Sequence, residues 1–137
     1  MSKQEALANF LEAEQKEIKS GYDENTFDHS TGEYLVLTED EADEKTKEYI
    51  LDSLWAFNTD FILSHSNIEY ASDRVEKAFQ KMQSELCEDA NEIVKAIITD
   101  LDEFVQDAIE ADGRGHFLSG YDGEENEQGE YFIYRIN

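Results

Sequence analysis

Within residues 32–41, the sequence changes from a pattern typical of a β-strand to one typical of the start of an α-helix. They read Gly32-Glu33-Tyr34-Leu35-Val36-Leu37-Thr38-Glu39-Asp40-Glu41. The stretch EYLVLT at 33–38 is short, aromatic and β-branched, which is typical of a strand. Thr38 and Glu41 then match a capping box, and the acids of the next turn suit the positive end of a helix dipole. We therefore predict a strand at 33–38 that leads directly into a helix.

Four segments show the 3.6-residue period of amphipathic helices. The predicted helices cover 3–19, 39–64, 68–85 and 88–111, with a fresh cap at Ser72 as an alternative start of the third. Gly113 is expected to end the last one. The helix at 39–64 is apolar over much of its circumference, which predicts a central position. The predicted core comprises Trp55, Phe57, Phe61, Ile97, Leu101 and Phe104, and the third helix adds the stripe Val75, Phe79, Met82 and Leu86.

The C-terminal tail returns to period two and predicts a hairpin. Its expected strands are HFLSGY at 116–121 and EYFIYRI at 130–136, joined by an acidic connection. The sequence therefore predicts an α+β fold in a single domain over residues 1–137. About four helices pack with a small antiparallel β-sheet made of the strand 33–38 and the C-terminal hairpin 116–136.

An internal echo links the two predicted β regions. GEYLVL at 32–37 follows SGYD at 20–23, and GEYFIY at 129–134 follows SGYD at 119–122. Shared hairpin chemistry and an ancient duplication both explain this echo. On either explanation, the two regions are expected to join one sheet.

The charge of the chain excludes several classes of function. Asp and Glu number 34 against 11 Lys and Arg, so the net charge is −23 over 137 residues. Such a chain repels phosphate, which excludes direct binding of nucleic acid or of an anionic membrane surface. No apolar run reaches the roughly 18 residues of a membrane span. Since MSKQEALANF also lacks an apolar signal core, we expect a cytoplasmic protein.

The carboxylates are concentrated at 39–44, 85–92, 100–112 and 122–130. Rows of like charge cost stability, and solubility needs a net charge of only about 2–8, so the excess charge requires an explanation. Carboxylates on helices can be spaced like duplex phosphates and could occupy a basic groove. High-salt adaptation and plain solubility are the alternative explanations. The predicted partner-binding residues are Glu92, Asp100, Asp102, Glu103, Asp107, Glu110, Asp122, Glu124, Glu125 and Glu127.

No pattern indicates reaction chemistry, a cofactor or a dedicated metal site. Cys87 is the only cysteine, and a free cysteine is usually a small buried hydrophobe. The acidic stretch 122–130 does not match an EF-hand, and the spacing of the histidines carries no metal signature. Arg114 or Arg135 is expected to neutralise nearby carboxylates. We therefore predict a non-enzymatic protein.

An enzymatic alternative remains open in the tail. It would use Arg114, His116, Tyr121 and Asp122, which lie close together in the sequence. This alternative requires a concave pocket that joins the four side chains.

Two blocks of sequence resemble a family of small acidic proteins encoded in tailed-phage genomes. They are EYLVLTEDEADE at 33–44 and DGRGHFLSGYDGEENEQGEYFIYRIN at 112–137, and WAFNTDFI at 55–62 belongs with them. The resemblance implies no activity, substrate or catalytic residue. It implies a context, the cytoplasm of an infected host bacterium, where small acidic phage proteins often inhibit host enzymes, including restriction and CRISPR systems, some by mimicking nucleic acid.

By this analogy, we predict a phage-encoded acidic inhibitor that acts in an anti-restriction or anti-CRISPR role. Its partner would be the basic surface of a host nucleic-acid-binding protein or defence complex. The alternative is a phage interaction or regulatory module whose acidity is incidental and whose contact is an exposed apolar patch. Self-association into a homodimer is compatible with either function.

Overall fold

The computed structural model describes all 137 residues and confirms the α+β class. The helices are α1 (Lys3–Leu11), α2 (Glu39–Asp52), α3 (Thr59–Ser64), α4 (Asp73–Leu86), α5 (Asn91–Ile97), α6 (Leu101–Asp112) and α7 (Arg114–Leu118). The strands are β1 (Lys19–Ser20), β2 (Thr26–His29), β3 (Gly32–Thr38), β4 (Asn126–Gln128) and β5 (Tyr131–Arg135). Short 3₁₀ turns cover Gln15–Glu17, Leu54–Ala56 and Cys87–Ala90.

The chain forms two compact units. One contains Met1–Thr46 together with Asp112–Asn137, and we call it the sheet unit. The other contains Lys47–Ala111, and we call it the helical unit. That residues 1–137 form a single domain stays a prediction.

The sheet unit is built on one antiparallel sheet with strand order β1-β2-β3-β5-β4. The predicted strand at 33–38 is confirmed as the centre of this sheet. Its residues Tyr34 and Val36 pack on one face against α1, while Leu35 and Leu37 pack on the other face against Ala42. Because both faces are covered, the strand reads as a continuous apolar run without polar alternation.

The internal echo occupies equivalent positions in this sheet. Val36 lies directly opposite Ile133, and these two residues are the fifth members of GEYLVL and GEYFIY. The flanking pairs are Leu35 with Tyr134 and Leu37 with Phe132. The first flanking pair joins the fourth residue of GEYLVL to the sixth of GEYFIY, and the second joins the sixth to the fourth. The two repeated strands are therefore related by a local two-fold axis. The prediction that both regions join one sheet is confirmed.

The predicted hairpin 116–136 is wrong in its first half. HFLSGY does not form a strand, since Arg114–Leu118 form the helix α7 and the real hairpin is β4–β5. The three residues HFL are too few to separate a helical from a strand period. Gly115 fixes the alternative: it is buried, and an added Cβ would lie 2.5 Å from the Gly123 carbonyl oxygen.

The helix starts follow their caps. The predicted capping box is present, since the Glu41 N–H donates to Thr38 Oγ1 at 3.3 Å and the Thr38 N–H donates to Glu41 Oε1 at 2.9 Å. Ser72 caps α4, so the alternative start predicted there is confirmed. The helix predicted over 3–19 instead ends at Leu11, where Glu12 adopts a left-handed conformation.

Two predicted helices are broken in the helical unit. The helix predicted over 39–64 stops at Asp52, and Asn91 holds the break because its Nδ2 donates to the Asp52 carbonyl at 2.6 Å and its Oδ1 accepts from the Trp55 N–H at 2.8 Å. The helix predicted over 88–111 divides into a 3₁₀ turn, α5 and α6. Between α5 and α6, the Thr99 N–H donates to the His65 carbonyl at 3.0 Å. Tertiary hydrogen bonds therefore set both breaks.

The core of the helical unit differs from the predicted one. Phe104 is fully buried, but the other five predicted core residues are only half-buried. The remaining fully buried apolar side chains are Ile50, Leu54, Ile62, Ala90, Val94 and Ala108. Phe57 and Phe61 pack edge-on against Phe104 at 5.1 and 4.9 Å between ring centroids.

The predicted core stripe of α4 is wrong at its two ends, because Val75 and Leu86 are exposed, while Phe79 and Met82 are half-buried. The buried residue of α4 is instead Gln83. Its Nε2 donates to the carbonyls of Trp55 and Phe57, both at 2.8 Å, and its Oε1 accepts from the Thr59 hydroxyl at 2.6 Å. An amide clamp at Gln83 therefore ties α4 to the segment between Trp55 and Thr59.

Candidate functional site

The predicted partner-binding residues fall into the two units. Glu92, Asp100, Asp102, Glu103, Asp107 and Glu110 belong to the helical unit, and Asp122, Glu124, Glu125 and Glu127 belong to the sheet unit.

Helix α6 presents a row of carboxylates opposite its buried face. Phe104, Val105 and Ala108 are buried, which fixes the orientation of the helix. Glu103, Asp107 and Glu110 are spaced i, i+4 and i+7, so they lie above one another on one flank. We call these three residues the α6 acidic ridge.

Two members of the ridge have no internal partner. The carboxylates of Glu103 and Glu110 are exposed and make no hydrogen bond or ion pair. Glu92 on α5 is likewise exposed and without an ion pair. These carboxylates keep their full charge facing solvent and are available to an outside partner.

Asp107, the middle member of the ridge, is bound to His65. His65 Nε2 lies 2.7 Å from Asp107 Oδ2, and Nδ1 lies 2.9 Å from the Phe61 carbonyl oxygen. A carbonyl and a carboxylate can only accept, so both contacts are satisfied together when the imidazole is protonated. Burial alone would lower the pKa of His65, but these two hydrogen bonds and the nearby Glu103 charge raise it above its ordinary value. His65 and Asp107 are 42 residues apart, so no sequence pattern indicates the pair.

Asp100 and Asp102 serve the start of α6. Asp100 Oδ1 accepts from the Glu103 N–H at 3.1 Å, and a carboxylate at this position also suits the helix dipole. Asp102 lies 3.3 Å from Lys47 Nζ, in a pair exposed enough to contribute little to stability. Asp100 is thus explained by folding, while Asp102 remains accessible.

The acidic loop of the sheet unit divides in the same way. Glu124 and Glu127 are exposed and their side chains have no internal partner. Asp122 is a turn residue whose Oδ1 accepts from the Glu124 N–H at 3.0 Å and the Ser119 hydroxyl at 2.8 Å. These hydrogen bonds lower the pKa of Asp122. Glu125 turns inward, where it accepts from Arg114 and from the Tyr134 hydroxyl.

Arg114 is the centre of a carboxylate cluster in the sheet unit. Its Nε lies 2.8 Å from Glu125 Oε1, and its Nη1 lies 2.8 Å from Asp43 Oδ1 and 3.1 Å from Glu39 Oε1. The guanidinium also stacks on Phe132 at 4.7 Å from the ring centroid. The prediction that an arginine of the tail neutralises nearby carboxylates is confirmed for Arg114. Both partners of the Glu125 carboxylate, Arg114 and the Tyr134 hydroxyl, lie within the sheet unit, so this partly exposed carboxylate is a poorer candidate for partner binding than those of Glu124 and Glu127.

The residues of the enzymatic alternative have separate partners. Arg114 holds its carboxylate cluster, and Asp122 closes its turn with Ser119. Tyr121 stacks on the Arg135 guanidinium at 3.6 Å, and His116 packs edge-on against Phe117. Nothing in these contacts joins the four side chains around one reacting atom.

No group of three or more His, Cys, Asp or Glu side chains is arranged to hold a metal ion. Cys87 is exposed, which corrects the expectation of a small buried hydrophobe. None of the helices combines the length and hydropathy that a membrane span requires.

No protein-family model, curated protein or solved structure matches the chain.

Proposed function

We propose that this chain is a non-enzymatic acidic inhibitor that binds a cationic, nucleic-acid-binding surface of another protein. It would occupy that surface in place of nucleic acid. The observation that carries the proposal is the α6 acidic ridge, on which Glu103 and Glu110 remain exposed and without partners. A chain of net charge −23 sustains considerable self-repulsion, and a row of free carboxylates adds to it.

The rigidity of a helix suits this role. Carboxylates one turn apart on α6 have fixed spacing of about 5–6 Å between Cβ atoms, so a cationic groove can meet them with little loss of conformational freedom. Such contacts guide association by long-range attraction. Charge alone seldom gives specificity, and the exposed Ile93 next to Glu92 on α5 offers an apolar anchor beside the acid.

The biological setting is part of the same proposal. The tailed-phage resemblance of residues 33–44 and 112–137 suggests a protein that works in the host bacterial cytoplasm. Host restriction or CRISPR complexes carry basic nucleic-acid channels of the kind that such an acidic surface would fill.

A charge-neutral variant tests the proposal. The chain is immobilised, host lysate is passed over it, and the binding of the captured protein is compared with that of Glu103→Gln/Glu110→Gln. This variant removes two charges whose exposed carboxylates make no hydrogen bond or ion pair within the chain, and binding should weaken at least about tenfold, or about 1.4 kcal/mol. The matched control is Glu24→Gln/Glu44→Gln, which removes two exposed and unpartnered charges outside the ridge.

A second candidate function is favoured by helix α4. Its exposed Val75 and Leu86 provide the apolar contact that an interaction or regulatory module would use. On that function the captured protein would hold Glu103→Gln/Glu110→Gln and the unchanged chain equally well.

A further inference from the structure

Helix α4 turns an apolar stripe toward solvent. Val75 is 39% exposed, Leu86 is 41% exposed, and Ala78 and the half-buried Met82 lie between them. These four residues are spaced i, i+3, i+7 and i+11, so they form one line along the helix. We call them the α4 stripe. A neighbouring side of α4 is already occupied by the Gln83 clamp.

The charge of α4 also sets it apart from the rest of the chain. Arg74, Lys77 and Lys81 are three of only eleven cations, and they balance Asp73, Glu76 and Glu85 on the same helix. All three cations are exposed, and Arg74 and Lys77 form no ion pair although acids outnumber bases 34 to 11. The helix is therefore neutral, and a strongly acidic molecule is repelled least where it meets α4.

We propose that the α4 stripe binds the α4 stripe of a second copy of this chain in an antiparallel, two-fold symmetric pair. An alignment centred at Gln80 places Ala78 opposite the other copy's Met82, so that a small side chain meets a large one. The same alignment brings Val75 within one residue of the position opposite the other copy's Leu86.

The flanking charges fit the same register. Arg74, Lys81 and Glu85 follow one flank of the stripe at i, i+7 and i+11. In the antiparallel pair, Arg74 comes within one residue of the position opposite the other copy's Glu85, and symmetry makes this contact twice. Within one chain, Glu85 has only Lys81 at 3.8 Å, so its carboxylate is free to take a second donor. This self-complementarity identifies a second copy, and not an unrelated helix, as the occupant.

The strength of this pairing is limited by its size. A helix of 14 residues is about 21 Å long, and two such helices bury less than the roughly 1,200 Å² of a standard interface. Self-repulsion between two chains of −23 weakens it further. The pair is therefore a weak dimer that forms at high protein concentration. Added salt strengthens it, because screening removes the repulsion between copies while the apolar contact is unaffected.

Analytical ultracentrifugation tests the proposal, with protein from about 10 µM to about 1 mM in about 0.1 M and about 0.5 M NaCl. The mass should rise from 15.8 kDa toward twice that value with concentration, and more readily at the higher salt. Ala78→Glu places a charge in the stripe and should weaken dimerisation at least about tenfold. Gln80→Glu adds the same charge to an exposed position outside the stripe and should leave the dimer within about twofold of the unchanged chain.

A charge swap tests the register. Arg74→Glu should weaken the dimer, and Arg74→Glu combined with Glu85→Arg should restore it. A mass of 15.8 kDa under all conditions overturns the proposal, and so do equal effects of Ala78→Glu and Gln80→Glu. The inference does not depend on the acidic inhibitor function, since salt is expected to strengthen self-association and to weaken binding to a cationic partner.

Discussion

Replacement of Arg114 by methionine is expected to destabilise the sheet unit by about 2–3 kcal/mol. The side chain of Arg114 is only 10% exposed and satisfies carboxylates from Glu39, Asp43 and Glu125. Methionine keeps much of the apolar stem that packs on Phe132 but removes the charge. Three carboxylates would then face one another without a cation between them.

The magnitude follows from the exposure of the partners. Removing one member of a fully buried ion pair costs about 3–5 kcal/mol, whereas an exposed pair contributes about 0–1 kcal/mol. Glu125 is 31% exposed, while Glu39 and Asp43 are 63% and 59% exposed, so solvent screens part of the loss. A value between the two limits, about 2–3 kcal/mol, is therefore expected.

Urea denaturation followed by circular dichroism measures this loss. The matched control is Lys16→Met, which removes an exposed pair with Glu14 and should change the free energy of unfolding by less than about 0.5 kcal/mol. Adding Glu125→Gln to Arg114→Met should recover part of the stability, because one of the facing charges is then removed. Equal stability of Arg114→Met and the unchanged chain would refute the reasoning, and so would the absence of any recovery.

The remaining predictions concern the helical unit. The pKa of His65 is raised in the folded chain above its ordinary value of 6.5. The contact with Asp107 therefore stabilises the folded state fully below pH 6.5, and this stabilisation is lost as the pH rises through the folded pKa. The stability difference between the unchanged chain and His65→Gln, measured by urea titration, should therefore shrink from about pH 5.5 to about pH 8.5, and a constant difference would contradict this. Gln83→Leu should lower the free energy of unfolding by about 2–4 kcal/mol, because two backbone carbonyls and one hydroxyl lose their partner. Thermal melting checks this, and a loss below about 1 kcal/mol would show that water replaces the amide.

Two strands of the sheet, β3 and β5, were predictable because their signals are local, whereas β1, β2 and β4 were not predicted. EYLVLT is apolar on both faces, and Thr38 with Glu41 fixes the start of α2 within four residues. The echo between GEYLVL and GEYFIY also indicated that β3 and β5 share one sheet. The helix breaks were not predictable, because Asn91 ends α2 through contacts 36 to 40 residues away.

The candidate site was predictable only in its outline. The period of α6 shows that Glu103, Asp107 and Glu110 share a flank opposite the core. Which carboxylates turn inward depends on distant partners, since Asp107 is held by His65 and Glu125 by Arg114 and Tyr134. Position in an acidic run carries no information about such partners.

The salt dependence of binding, with duplex DNA as competitor, tests the central claim most directly. The protein captured from host lysate on the immobilised chain is eluted by a NaCl gradient and, separately, by added duplex DNA. If carboxylates on the surface occupy a nucleic-acid channel, the complex should dissociate as the Debye length falls from about 10 Å at 0.1 M to about 3 Å at 1 M salt, and DNA should displace it at low salt. A complex that survives about 1 M salt and ignores the DNA would contradict the account.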